Sequence, residues 1–346
     1  MSNVERDPDE LTCGGRGGVA LLPSHEVLEP REVVLGGTRG APVRRTLPHR
    51  DRRMVGAWCF LDEFGPDDVS AGSVMRIPPH PHTGLQTVTW LLQGEVRHTD
   101  SLGTEQLVRP GQLNLMTAGR GIAHAEEPLA ARSRLVHGTQ LWVALPDTDR
   151  DVAPAFEHHA DLPVLRVDGA DATVLMGELG SVRSPATTYT PIVGADVTLH
   201  ARARLPLEPE FEHAVLALLG AVEVDGVRVE PGTLIYLGCG RSDVTLQADG
   251  GGRVLLVGGE PFEESIVMWW NFIGRSHEEV VEMRTEWMAS PGFDPIDSSP
   301  APTSGPAGTG ARTGTSRFGV VHGFDGGPLA APALPTTRLR PRPRVR

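Results

Sequence analysis

An all-β fold in two repeated halves is what this sequence predicts, and three observations carry the expectation. Short apolar runs bounded by Gly, Pro or Asp recur along the chain: TVTWLLQGEV, QLNLMTAG, GTQLWVALP, EHAVLALLGAVEV, GTLIYLGCG and RVLLVGGEP. Forty-one glycines and 30 prolines supply the tight corners that such strands need. The third is an internal echo: WLLQGEV at 90–96 resembles ALLGAVEV at 217–224, and a Pro-Gly turn follows each, in RPGQLNLMTAGRG and EPGTLIYLGCGRS. Sandwich and barrel both fit this composition. Two β-domains built on one plan are the economical explanation.

One stretch departs from the pattern. In RSHEEVVEMRTEWM, Ser276 is placed as an N-cap, Glu279 completes a capping box three residues later, and Val280, Met283 and Trp287 recur at helical spacing. A single short helix is expected there. Residues 289–314 are too rich in Pro, Gly and Ser to bury a core and read as a flexible linker. Beyond them, 315–346 contains RFGVVHGF and a Pro-rich end, read as extended backbone lying partly along the body, with the arginines from Arg338 to Arg346 as a solvated tail.

Charge removes some function classes. The formal net charge is −12, and no lysine occurs, so every fixed positive side chain is Arg. With no basic stripe, such a body repels a phosphate backbone, and direct nucleic-acid binding is not expected. Cys13, Cys59 and Cys239 are far apart and form no C-x-x-C, so neither a disulfide framework nor a zinc knuckle is indicated. The charged start MSNVERDPDE is unlike a signal peptide, and no apolar run approaches a membrane span. A cytoplasmic, monomeric protein without membrane contact is the default expectation.

The stretch PHPHTGLQTVTWLLQGEV, at 79–96, places His80 and His82 at the mouth of a strand, where Pro81 is tolerated because it need not donate to a ladder. Further on, TAGRGIAHAEE holds His124 and Glu126. Residues i and i+2 of a strand face one side, so each pair aims both its side chains the same way. Two neighbouring strands pointing such pairs inward would gather three imidazoles and one carboxylate at one point. That is a mononuclear metal site with open positions, a donor set suited to Fe, Ni, Cu or Zn.

These residues carry a resemblance. PHPHTGLQTVTWLLQGEVRHTDSLG, then PGQLNLMTAGRGIAHAEE, QLWVALP, EPFEESIVMWWNFIGRSHEE and RFGVVHG, resemble the pirin family of the cupin superfamily over most of the chain. The resemblance implies two stacked antiparallel cupin-type β-barrels: a metal-binding domain at 1–155 and a degenerate domain at 156–288. It implies one divalent metal ion per chain, iron(II) first, with Ni, Cu, Zn or Mn as alternatives, held by His80, His82, His124 and Glu126. Two activities follow from it. One is a quercetin 2,3-dioxygenase-type oxygenase, in which a small aromatic, flavonol-like substrate meets O₂ and Glu126 takes the phenolic proton as catalytic base. The other is a non-enzymatic, redox-sensitive binding protein whose partner is a transcription factor or metabolic enzyme.

Pirins commonly read H-P-H-R-G-F-E-T, whereas this chain has Thr83 and Gln86 in place of the Arg and Glu. On an unbroken strand Gln86 would share the ligands' face, as a hydrogen-bonding neighbour. A deep pocket lined by Trp90, Met116 and their neighbours would favour catalysis, and a shallow, charged mouth a binding role. His98 and Asp100 share a face, but nothing at metal-site spacing joins them, so a surface or loop role is expected; His158 and His159 are given none. Laying one half over the other leaves Pro206, Glu208, Thr245 and Gln247 at the second half's ligand slots, with His213 on the wrong strand parity for the inner face, so one metal per chain is expected.

Overall fold

The strands that lie between the two halves are buried on both faces. Leu85–Gln93 is buried from Leu85 to Leu91 without alternation, because one of its faces looks into the first half and the other onto the second. The computed structural model describes residues 11–13, 25–34, 42–70, 76–129, 133–293 and 316–341. Most of the linker expected at 289–314, and the last arginines of the tail, lie outside these residues.

In the first half a seven-stranded sheet runs in the order Ala155–His159, Leu113–Thr117, Leu85–Gln93, Leu135–Ala144, Trp58–Asp68, Pro42–Leu47 and Arg31–Val34. Facing it is a four-stranded sheet, Ile77–His82, Ile122–Pro128, Val96–Asp100 and Glu105–Val108. The second half repeats the plan. One sheet runs Val164–Val167, Ala170–Leu179, Ile192–Leu199, Gly252–Gly259, Glu212–Leu219, Leu234–Gly238 and Glu26–Leu28, and its partner runs Ala203–Pro206, Asp243–Gln247, Val222–Val224 and Val227–Val229. All these pairings are antiparallel. Each half is thus a pair of facing sheets, open at the edges, where closed barrels were expected. Strand Glu26–Leu28 comes from the N-terminal part of the chain yet closes the second half's sheet through Leu234–Gly238.

The halves stack through the outer faces of their larger sheets. Leu115, Leu141 and Trp90 meet Ala214, Leu216, Leu255 and Val257 in one apolar cluster. The indole nitrogens are satisfied across the joint: Trp58 Nε1 donates to the carbonyls of Val193 and Gly258, both at 3.1 Å, and Trp90 Nε1 donates to Asp196 at 2.8 Å. Close approach dictates Gly194, since a Cβ there would sit 2.9 Å from the Trp58 ring.

The helix forms as its caps require, over His277–Met288. The Ser276 hydroxyl accepts from the Glu279 amide at 3.2 Å, and Glu279 reaches back to the Arg275 amide at 2.9 Å. Val280, Met283 and Trp287 are its buried positions, as the spacing predicts. They join Trp269, Phe272, Phe318 and Ala123 in a cluster against the outer side of the strand Ile122–Pro128. The tail continues this backing: the Leu329 amide donates to the Pro79 carbonyl at 2.7 Å, and Arg317 pairs with Glu286. Arg338 pairs with Glu278, so this tail arginine is not merely solvated. Among the described residues no helix is long and apolar enough to cross a membrane.

Candidate metal centre

Strand Ile77–His82 ends where Gly84, at φ 69°, turns the chain into the other sheet. A Cβ on Gly84 would lie 2.4 Å from the Ile273 carbonyl oxygen, so the turn takes only glycine. His82 pairs with Ile122 and His80 with His124 across the ladder to Ile122–Pro128. The three imidazoles converge. Ring centroids lie 4.3 Å apart for His80 and His124, 5.0 Å for His82 and His124, and 5.2 Å for His80 and His82. One ring nitrogen from each falls within 4.8 Å of the others, a spacing that could hold a metal ion.

Glu126 is buried on the same strand, but the register shifts between His124 and Glu126, so it lies opposite Ile77 on one side and His98 on the other. It stands in the electrostatic range of His80 and His98 and outside the tight imidazole trio.

The donor set fits a metal on its own evidence. The His80 Nδ1–H donates to the Pro78 carbonyl at 2.7 Å, which leaves Nε2 as the lone pair; that atom is buried and has no hydrogen-bond partner among the described residues. A buried lone pair without a partner is costly unless something else takes it. His82 is hydrogen-bonded to the backbone of Asn271. Burial pushes His80 down from an ordinary 6.5 to about 4, and it holds His82 and His124 well below that ordinary value too. All three are therefore neutral near pH 7, the protonation state that ligates.

This has a consequence for the metal-free protein. As pH falls through 6.5 the unfolded chain takes up protons that the fold refuses, so stability present above that value is lost on the way toward 4. The expected slope is about 1.4 kcal/mol per pH unit for each such imidazole. Apo-protein melted at pH 7 and at pH 5 should show a large drop in midpoint; equal midpoints would mean the trio is already charged in the fold.

The facing sheet supplies the opposite wall. Phe156, Met116, Thr87, Trp142 and Phe60 pair in one row across it. Trp142 meets His82 edge-on at 5.2 Å, and Phe60 stacks on Trp142 at 4.0 Å. Two residues along each strand, His158, Asn114, Thr89, Gln140, Asp62 and Arg45 form a second row on the same face. Hydrogen bonds link them in pairs: His158 to Asn114 at 2.7 Å, Thr89 to Gln140 at 3.0 Å, and Arg45 to Asp62 at 2.7 and 2.8 Å. The corresponding interior of the second half is apolar, filled by Val215, Ala217, Val197, Leu205, Val244 and their neighbours.

Several expectations are corrected here. Gln86 does not share the ligands' face: the turn at Gly84 puts it in the other sheet, where its amide donates to Thr117 and to the Thr187 carbonyl of the second half. Trp90 likewise points to the second half, while Met116 faces the trio. Thr83 is buried, with its hydroxyl on the Met283 sulfur. His98 and Asp100 are neither surface nor loop residues. Both are buried, His98 stacks on Phe156 at 4.5 Å, and its Nδ1 lies 3.3 Å from Nδ1 of His124. Their strand, Val96–Asp100, pairs with Ile122–Pro128, a non-local pairing that spacing alone does not reveal. His158 joins the inner polar row.

In the second half the parity of His213 is the reverse of the expectation. It shares the inward face with Val215 and Ala217, lining a cavity of about 540 Å³ with Tyr189, Phe211 and Glu208. Glu212 turns outward instead, accepting from the Gly56 amide and the Tyr236 hydroxyl. Among the described residues the trio of the first half is the one cluster spaced to hold a metal.

Comparison with known proteins decides the family. Residues 40–143 match the model of the family described as Pirin, and 194–291 match that of the pirin C-terminal cupin domain. A Pseudomonas aeruginosa protein provisionally named a quercetin 2,3-dioxygenase is 44% identical over 307 residues, covering 88% of this chain and 89% of its own length. The chain belongs to the pirin family. A pirin-like protein of Caulobacter vibrioides is 34% identical, over 71% of this chain and 88% of its own. Among solved structures, a quercetin 2,3-dioxygenase from Acinetobacter baumannii superposes with a TM-score of 0.79 at 39% identity, covering 91% of this chain and 98% of that one. The pirin fold of paired cupin domains is thereby established here, and the convergent histidines lie in the first of them.

Proposed function

We propose that this pirin holds one divalent metal ion, iron(II) before Ni, Cu, Zn or Mn, on His80, His82, His124 and Glu126, and that it acts as a quercetin 2,3-dioxygenase-type oxygenase. The observation that carries the reading is the contrast between the two interiors. One pair of sheets encloses aliphatic side chains and, at its cavity, the lone imidazole of His213; the other, built on the same plan, surrounds three neutral imidazoles with aromatic and hydrogen-bonding groups. Burying such polar rows is unfavourable against an apolar core, so their retention supports a chamber that serves a ligand. The names of the two most similar relatives above point to a flavonol.

When bound, the metal supplies a Lewis-acid and redox-active position for a phenolate and O₂. The protein's side chains do the rest. Trp142 and Phe156 give flat walls for a planar aromatic. Asn114 offers a buried amide Nδ2, without a partner among the described residues, to a substrate oxygen. Glu126, beside the imidazoles, accepts the phenolic proton. Aerobic, iron-loaded protein should consume flavonol and O₂ together. Metal-replete protein that is inert on a panel of flavonols and catechols would overturn the enzymatic reading and leave metal-dependent binding.

A further inference from the structure

We infer that Asp100 and His98 form a buried relay that sets the tautomer of His124, so that its Nε2 lone pair is the one offered to the metal. Both are positioning residues, and the inference rests on the metal centre proposed above. Asp100 begins the chain of reasoning because its carboxylate can only accept. Its Oδ1 takes the amides of Leu102 at 2.8 Å and Thr104 at 3.0 Å, and its Oδ2 lies 3.2 Å from Nε2 of His98. His98 must therefore carry its proton on Nε2. A neutral imidazole has one N–H, so Nδ1 of His98 is an acceptor. Among the described residues, the one partner it faces in hydrogen-bond range is Nδ1 of His124, at 3.3 Å, which must then be the protonated nitrogen. The lone pair of His124 is left on Nε2.

The geometry holds the relay still. Phe156 stacks on His98 with 24° between the planes, and the Ala123 amide beside His124 is fixed by the Ser101 hydroxyl at 3.2 Å. His80 reaches the same tautomer by a different device, its Nδ1–H on the Pro78 carbonyl. One ligand is thus oriented by backbone and another by a two-residue side-chain chain. Such outer partners raise ligand basicity as well as fixing ring orientation.

Asp100→Asn tests the relay because only one orientation of the amide fits. The two amides at Oδ1 require an oxygen there, so the new NH₂ faces His98 and donates to its Nε2. His98 then carries its proton on Nδ1, pointing at the proton of His124, and His124 must shift its own to Nε2, where it blocks the metal. Titration of each apo-variant with Co(II), followed by calorimetry and by the visible bands of the bound ion, should show affinity lowered about 10–100-fold in Asp100→Asn. His98→Gln should restore it: its carbonyl oxygen accepts from His124 whatever stands at 100, so Asp100→Asn added to His98→Gln should cost little more. That rescue separates a tautomer effect from general damage to the strand. His98→Phe keeps the stack, removes the acceptor and gives an independent reading if Asp100→Asn folds poorly. Parent-like affinity in both Asp100→Asn and His98→Phe, while His82→Ala loses the ion, would overturn the relay alone. Parent-like affinity in His82→Ala would overturn the centre itself.

Discussion

His82→Ala is expected to lose the metal and keep the fold. The strand that carries His82 is fixed by its ladder to Ile122–Pro128 and backed by the helix and tail, none of which involves the imidazole. Removing the ring leaves a void beside Trp142 and costs stability on the scale of other buried truncations, about 2–5 kcal/mol. The ion suffers far more. Losing an outer partner of a ligand costs about 10–100-fold in affinity, and losing a ligand exceeds that. Circular dichroism should remain parent-like while elemental analysis of protein purified without an affinity tag falls from one equivalent toward none. No second equivalent should survive, because His213 stands without another imidazole in its cavity. A variant that binds one equivalent as tightly as the parent would remove His82 from the ligand set.

Glu126→Gln should slow flavonol turnover by about 10²–10⁴-fold, the range that a positioned base contributes. The substitution keeps the volume of a fully enclosed side chain and removes both its charge and its basicity. Because Glu126 lies outside the imidazole trio, the variant is expected to retain more metal than His82→Ala does, so activity and metal content part company. Measured at matched metal occupancy, turnover equal to that of the parent would exclude Glu126 as the base.

Which of these features could be read from the sequence depended on how local they were. The i, i+2 histidines, the capping box at Ser276 and the apolar positions of the helix are set by periodicity within one element, and they stand where periodicity puts them. Gln86 failed for a local reason as well: counting parity from His82 assumed one strand, and a single glycine with positive φ moved the chain to another sheet. His98 and Asp100 failed for a non-local one. Their importance depends on which strand lies beside Ile122–Pro128, and ladder order is not encoded in spacing. A signal was present nonetheless, since a second His-x-Asp pair with strand parity is uncommon enough to be placed against the first. The polar row from His158 to Arg45 was equally hidden, because it takes one residue from each of six strands.

The strand Glu26–Leu28 has a bearing on how the molecule comes into being. Its ladder partner is Leu234–Gly238, and Arg52 and Glu212, from the two halves, draw together over the same joint with Glu26. On a ribosome the chain emerges at about 5–20 residues per second, so this early segment waits some tens of seconds for the edge it completes. During that interval the larger sheet of the first half has been synthesised, but the face that carries Trp58 and Trp90 has nothing to cover it. The nascent protein thus passes through a stage with a broad apolar surface and an unpaired strand, the condition in which chains associate with one another. Completion of the last strands ends that exposure in one step, and the N-terminal part becomes fully native only when the C-terminal part has been made.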